Sequence, residues 1–156
     1  AFLRSMARIS ADLTDPAAIV SASIRQTLFW MRPGCEFGRM LFISGLPLTR
    51  YVYQTRQGFI RDMKAGIDAG RFTVAHESVT SSMIAGGVMA ILLDLFLGQT
   101  QPDMIGEVAE QSLLMLGISP EEAHTIAHQP LLLSEPPLFP LSAIEYLPPL
   151  EAVDKN

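Results

Sequence analysis

The sequence predicts an all-α protein, an orthogonal helical bundle of about seven helices, from three observations. Apolar residues recur three or four positions apart along most of the chain, as on one face of a helix. Capping residues and prolines precede these segments, and glycines follow them. Strict alternation of apolar and polar residues, which indicates a strand, is nearly absent. With 156 residues, 49% of them apolar, the chain can form one domain with a hydrophobic core.

The first three helices are predicted over 1–12, 15–32 and 35–44. Asp15 is a suitable cap for the second helix, and Pro16 suits its first position, where no N–H donor is needed.

A long fourth helix is predicted over 48–69. Its two glycines, Gly58 and Gly66, each weaken a helix by about 1 kcal/mol relative to alanine, so packing has to stabilise it. Gly70 suits the left-handed residue that often ends a helix.

The segment 83–97 is apolar on all sides, and Asp94 is its only charge. Fifteen helical residues rise about 22 Å, which is short of the roughly 30 Å hydrocarbon core, so we predict no membrane span. The next helix, 102–116, has an apolar band that is wider than packing against its own core requires. Two such helices predict a four-helix interface in a homodimer, although burial within a single chain is the alternative. The residues predicted at this interface are Met83, Gly86, Gly87, Ala90, Asp94, Val108, Gln111 and Met115.

A capping box of Ser119 and Glu122 predicts a last short helix that ends near His128. Six prolines follow in 130–156, so we expect one domain over 1–129 and a Pro-rich C-terminal tail over 130–156.

Composition and motifs exclude several function classes. The net charge of −5 argues against a nucleic-acid surface on this portion of the chain. The single cysteine, Cys35, cannot form an internal disulfide, so we expect a cytoplasmic protein. No nucleophile, metalloprotease or phosphate-loop motif is present, and we predict neither catalysis nor a cofactor.

His124 and His128 have a spacing that can bind metal, but with only Glu121 as a candidate partner we predict no metal site.

Three segments resemble the C-terminal regulatory domain of TetR/AcrR-type transcriptional regulators. They are RDMKAGIDAGRF at 61–72, SSMIAGGVMAILLDLFLG at 81–98 and PDMIGEVAEQSLLMLGISPEEAHTIA at 102–127. The resemblance implies an effector-binding and dimerisation domain. Operator DNA would be bound by an N-terminal helix-turn-helix that this sequence does not contain, and the effector would change operator affinity.

The resemblance also implies that a small apolar or cationic effector occupies a cavity within the helices before residue 70. Methionine and aromatic side chains suit such a cavity, although they could equally form ordinary core. Trp30, Tyr51 and Tyr53 could stack on a cationic ligand. The candidate ligand-binding residues are Phe2, Met6, Leu28, Met31, Phe37, Met40, Tyr51, Phe59 and Met63. The alternative function is a helical protein–protein interaction module without a small-molecule pocket.

Overall fold

The computed structural model describes residues 13–43 and 48–136, and all regular structure in these ranges is helical, which confirms the all-α class. The predicted helix over 1–12 lies outside the described residues, so the count of about seven stays a prediction. The described elements are α1 (Pro16–Phe29), α2 (Glu36–Ile43), α3 (Leu48–Asp68), α4 (Glu77–Phe96), a 3₁₀ turn (Pro102–Met104), α5 (Ile105–Met115) and α6 (Pro120–His128).

Helix α1 lies at the centre of the bundle and packs against α3, α4, α5 and α6. Nine of its 14 residues are buried. Three of these are alanines, Ala17, Ala18 and Ala22, whose small side chains let neighbouring helices approach closely. These four helices pack around α1, and the buried apolar side chains of the bundle form one continuous core.

The predicted start of α1 is confirmed. The Asp15 side chain accepts a hydrogen bond from the N–H of Ala17 at 3.1 Å, and Pro16 occupies the first turn. The Arg71 guanidinium also donates two bonds to the same carboxylate, Nε to Oδ1 at 2.7 Å and Nη2 to Oδ2 at 3.0 Å. Arg71 follows α3, so this ion pair fixes the start of α1 against the end of α3.

The capping box predicted for α6 is wrong. Ser119 occupies the N-cap position, but its side chain makes no capping hydrogen bond among the described residues. Glu122 instead accepts a bond from Arg71 Nη2 at 2.7 Å. The ion pair with the Arg71 guanidinium is stronger than the hydrogen bond that Glu122 would make to a backbone N–H in a capping box. A pattern of four neighbouring residues does not show that Arg71 lies close to Glu122 in the fold.

Glycines explain the end of α3. Gly70 has φ +68°, the left-handed conformation predicted for it, and its N–H donates to Ile67 O at 2.9 Å. Gly66 lies against the ring of Phe72, where a Cβ would come within 2.1 Å of two ring carbons. The glycine that weakens α3 as a helix is therefore required by the packing of the turn that follows it.

The chain after α6 crosses α1 without regular structure. Arg25 Nη1 donates to Gln129 O at 2.9 Å, and Arg32 Nη2 pairs with Glu135 at 2.6 Å. We call residues 129–136 the strap. The remainder of the predicted tail lies outside the described residues, and the boundary at 129 stays a prediction.

Among the described helices, α4 alone is long and apolar enough to cross a membrane by length and composition. It has 20 residues because the polar segment before Met83 is also helical, so the sequence-based argument from length does not hold. Core helices of soluble proteins meet the same criterion. Ser81, Ile84, Leu92 and Leu95 are buried in the bundle, and we therefore describe α4 as part of the bundle.

Candidate ligand-binding site

Helices α1, α3 and α4 enclose a partly open cavity of about 100 Å³. Residues three or four positions apart on each helix point to it, because this spacing places them on one helical face. On α1 these are Val20, Ile24 and Thr27, and on α4 they include Val88 and Leu92. The cavity therefore lies where three apolar helical faces meet without filling the space between them.

Most of the wall is apolar, and small side chains leave the space open. Ala85 of α4 and Gly58 of α3 both line the cavity, and Phe59 supplies its aromatic surface. A Cβ at Gly58 would meet no atom of the described residues within 4 Å. An apolar cavity with one aromatic wall is typical of sites for small, largely apolar molecules.

A hydroxyl in the wall has no partner within the described part of the chain. Thr55 Oγ1 is buried, and none of the described residues forms a hydrogen bond with it. Leaving such a group unpaired costs about 1–3 kcal/mol. A ligand with a polar group at this position would remove that cost, so the hydroxyl is suited to select among apolar ligands.

Asp62 is the acidic group of the wall. Burial raises its pKa above the ordinary value, and the neighbouring Arg61 opposes this effect. The two side chains are 3.3 Å apart, but Arg61 is three-quarters exposed whereas Asp62 is mostly covered. The Asp62 carboxyl group is thus available to a hydroxyl or ammonium donor of a ligand.

At the rim, Arg56 Nη2 donates to Ser82 Oγ at 2.9 Å. This bond joins α3 to α4, and Arg56 also lines the cavity. Both side chains are at the surface, so the bond can break if a ligand separates the two helices.

The structure brings one predicted ligand-binding residue, Phe59, to this cavity. Phe2 and Met6 lie outside the described residues, as do the side chains of Met40 and Tyr51. The other four predicted residues are buried in the core and are not among those that line the cavity: Leu28, Met31, Phe37 and Met63.

Trp30 is also fully buried, and its indole N–H donates to Ser134 O at 2.7 Å. Trp30 is not among the residues that line the described cavity, so it is not placed to stack on a ligand there. Large side chains fill close-packed interiors, whereas an opening requires small ones. The cavity could have been located from small and polar residues on otherwise apolar helical faces, such as Ser23, Thr27 and Gly58. The sequence analysis did not use them.

Comparison with known proteins identifies the family. The family model described as "Tetracyclin repressor-like, C-terminal domain" matches residues 15–129, well over half of the chain. The chain belongs to this family. The resemblance found in the sequence is therefore confirmed, and residues 15–129 form a Tetracyclin repressor-like C-terminal domain.

A solved structure has a similar fold. RolR, crystallised in complex with resorcinol, superposes with a TM-score of 0.68 at 21% sequence identity. The match covers 83% of this chain and 64% of the RolR chain. No curated protein matches the sequence.

The predicted dimer residues of this TetR-like domain all lie at or near its surface. Met83 is 60% exposed and Met115 is 38% exposed. Gly86, Gly87, Ala90 and Gln111 are exposed, whereas Asp94 and Val108 are half-buried. The structure adds apolar side chains that the prediction omitted: Val79, Leu93, Leu97 and Met104 are each more than 40% exposed. We call these twelve residues the α4–α5 face.

The two histidines of α6 have a different acidic partner from the one considered in the sequence. Glu110 of α5, rather than Glu121, contacts both rings through Oε2, at 2.9 Å from His124 Nδ1 and 3.0 Å from His128 Nε2. The bond from His124, with a smaller contribution from His128, holds the pKa of Glu110 below its ordinary value. This cluster lies on α5 and α6, which contribute no residue to the wall of the cavity.

Proposed function

We propose that this domain senses a small molecule and that the cavity between α1, α3 and α4 holds it. One observation carries the proposal: the apolar cavity of this Tetracyclin repressor-like domain has a buried hydroxyl in its wall, Thr55 Oγ1, that has no hydrogen-bond partner among the described residues. We propose that the domain binds its ligand without catalysing a reaction. We also propose that the protein acts in the cytoplasm, where operator DNA is present.

The wall chemistry suggests the class of effector. A cavity of about 150 Å³ holds one benzene ring, so a space of about 100 Å³ suits one small ring if the side chains adjust. Thr55 and Asp62 favour a ligand with a hydrogen-bond donor, either a hydroxyl or a cationic amine. The structural relative RolR binds resorcinol, an aromatic ring with two hydroxyls, and we propose a ligand of similar size and polarity.

Helix α4 provides a route from effector to DNA. One side of it lines the cavity through Ile84, Val88 and Leu92, and another side carries Gly87 and Ala90 of the α4–α5 face. We propose that this face forms the homodimer interface. A ligand that shifts α4 would then alter the relative position of the two N-terminal DNA-binding domains. The ligand lowers operator affinity if it binds the DNA-incompetent arrangement more tightly.

Thermal-shift and calorimetric titrations test the cavity directly. We would titrate the chain with resorcinol and, as a cationic probe, benzyltrimethylammonium. A bound ligand raises the melting temperature by mass action, so at least one probe should give a saturable rise with one site per chain.

The variant Ala85→Leu fills the cavity and should abolish that rise. Ala65→Leu is the matched control, because Ala65 is exposed on α3 and is not among the residues that line the cavity. An equal response in wild type and Ala85→Leu would place the ligand elsewhere. If no apolar or cationic probe raises the melting temperature, the protein–protein interaction module without a pocket becomes the better function.

A further inference from the structure

Four side chains on α5 and α6 form a compact group of metal-ligand types. His124 and His128 are one turn apart on α6, and Glu107 and Glu110 are one turn apart on α5. Residues three or four apart share a helical face, so each helix presents a pair to the other. His128 Nε2 lies 3.0 Å from Glu110 Oε2 and 3.5 Å from Glu107 Oε1.

The spacing of these atoms is close to that of a tetrahedral zinc site. Ligand atoms from His124, His128 and Glu110 all lie within 4.8 Å of one another. With zinc bonds of about 2.0–2.1 Å, tetrahedral ligands are separated by about 3.4 Å. The two nitrogen–oxygen distances, 2.9 and 3.0 Å, need to lengthen by only about half an ångström to admit the ion.

The rings are held near their positions without metal. A Cβ at Gly106 would lie 2.7 Å from Cε1 and 2.8 Å from Nδ1 of His128, so this glycine provides the space in which the ring rests on α5. The centroids of the two imidazole rings are 4.4 Å apart, and the ring planes are inclined to each other by 36°. The binding geometry therefore requires little ordering of side chains, which favours affinity.

We propose that His124 Nδ1, His128 Nε2 and the Glu110 carboxylate bind a divalent transition-metal ion of the Zn²⁺ type. Two imidazoles with carboxylates suit Zn²⁺, Co²⁺ or Ni²⁺ and do not suit Mg²⁺ or Ca²⁺. On binding, each ring nitrogen turns its lone pair to the ion, and the proton of a neutral ring moves to its other nitrogen. The ion joins α5 to α6, so it stabilises the packing of these two helices.

An ordinary surface ion pair is the competing explanation, and a metal titration distinguishes the two. The chain, freed of metal by a chelator, is titrated at neutral pH with ZnCl₂ by calorimetry and with CoCl₂ by visible absorption. We expect one Zn²⁺ per chain, a rise in melting temperature, and Co²⁺ bands of a four-coordinate site. An ion pair would bind no stoichiometric Zn²⁺, and that result would overturn the proposal.

Matched variants assign the ligands. His124→Asn, His128→Asn and Glu110→Gln should each weaken Zn²⁺ binding about tenfold or more and remove the gain in melting temperature. His76→Asn is the control, because His76 is the third histidine of the chain and lies before α4. Unchanged affinity in the first three variants, or an equal loss in His76→Asn, would contradict the assignment. Circular dichroism checks that the three variants fold, above all at His128, whose side chain is only 33% exposed whereas that of His124 is 65% exposed.

Discussion

The side-chain amide of Gln26 pairs with the main chain of Ser134 in both directions. Gln26 Nε2 donates to Ser134 O at 2.9 Å, and Gln26 Oε1 accepts from Ser134 N at 2.7 Å. Trp30 Nε1 donates to the same carbonyl oxygen at 2.7 Å. Gln26 is fully buried, so the strap supplies the polar partners that this core position requires.

Replacing this glutamine should therefore destabilise the fold. Gln26→Met keeps the length of the side chain but leaves the N–H and C=O of the half-buried Ser134 without their Gln26 partner, and we expect a loss of about 1–3 kcal/mol in the free energy of unfolding. Urea denaturation measures it. Gln57→Met, at an exposed position on α3, should cost little. Equal losses in the two variants would show that the pairing with Ser134 contributes nothing.

The ion pair between Asp15 and Arg71 should make stability depend on pH. The hydrogen bond from Arg71, opposed by burial, holds the pKa of Asp15 below its ordinary value of 3.8. A lowered pKa contributes stability above the ordinary value, and the contribution is lost as the pH falls through the lowered one. Asn is also a good cap, so Asp15→Asn removes mainly the charge.

We expect Asp15→Asn to cost about 0.5–1 kcal/mol at neutral pH, because the pair is partly exposed. The difference from wild type should shrink as the pH falls through the lowered pKa, because the carboxyl group is then protonated in the folded as well as in the unfolded state. Urea titrations at several pH values measure it, with Asp68→Asn as the exposed control. A difference that stays constant with pH would contradict a role for the charge.

Replacing either glycine of α3 by alanine should change the stability of the domain, in opposite directions at the two positions. At Gly58 the new methyl group meets open space, so the higher helix propensity of alanine should stabilise the domain by up to about 1 kcal/mol. At Gly66 the methyl group would overlap the buried ring of Phe72 and should destabilise it by about 1–3 kcal/mol. Thermal or urea unfolding gives both signs, and a stabilising Gly66→Ala would show that Phe72 moves away easily.

The proposed dimer predicts a specific effect of Gly87→Arg. Within the described chain, a Cβ at this position meets no atom within 4 Å, so the protomer itself tolerates the change. A second copy packed against the α4–α5 face would meet a buried charge instead. Light scattering after size exclusion should show a dimer for wild type and a monomer for the variant.

The control for this experiment is Ala65→Arg, which places the same side chain on the exposed surface of α3 and should remain dimeric. A monomeric wild-type chain, or a Gly87→Arg dimer, would remove the α4–α5 face as the interface.

Local sequence signals predicted most of the helical framework. Asp15 with Pro16 marked the start of α1, and Gly70 marked the end of α3, because a cap or a left-handed turn depends on a few neighbouring residues. The Ser119–Glu122 capping box failed for the opposite reason, since Glu122 has a stronger partner 51 residues away.

The cavity was harder to predict than the framework. A stripe of apolar residues in the sequence shows that one face of a helix is apolar. It does not show whether a neighbouring helix packs tightly against that face or leaves a cavity. Met63 is 1% exposed in the core, whereas Phe59, one turn earlier on the same helix, lines the cavity. The distance between three helices decides this difference, and that distance depends on all the side chains packed between them.

The amino-acid sequence by itself determined the helical class, most helix ends and the regulatory family, because helical periodicity, caps and segment order are properties of neighbouring residues along the chain. Only the tertiary structure decided which apolar face is left open between α1, α3 and α4, which polar groups cover Gln26, and that Glu110 meets the two histidines of α6. These are contacts between segments far apart in the sequence, and the packing of whole helices brings them together.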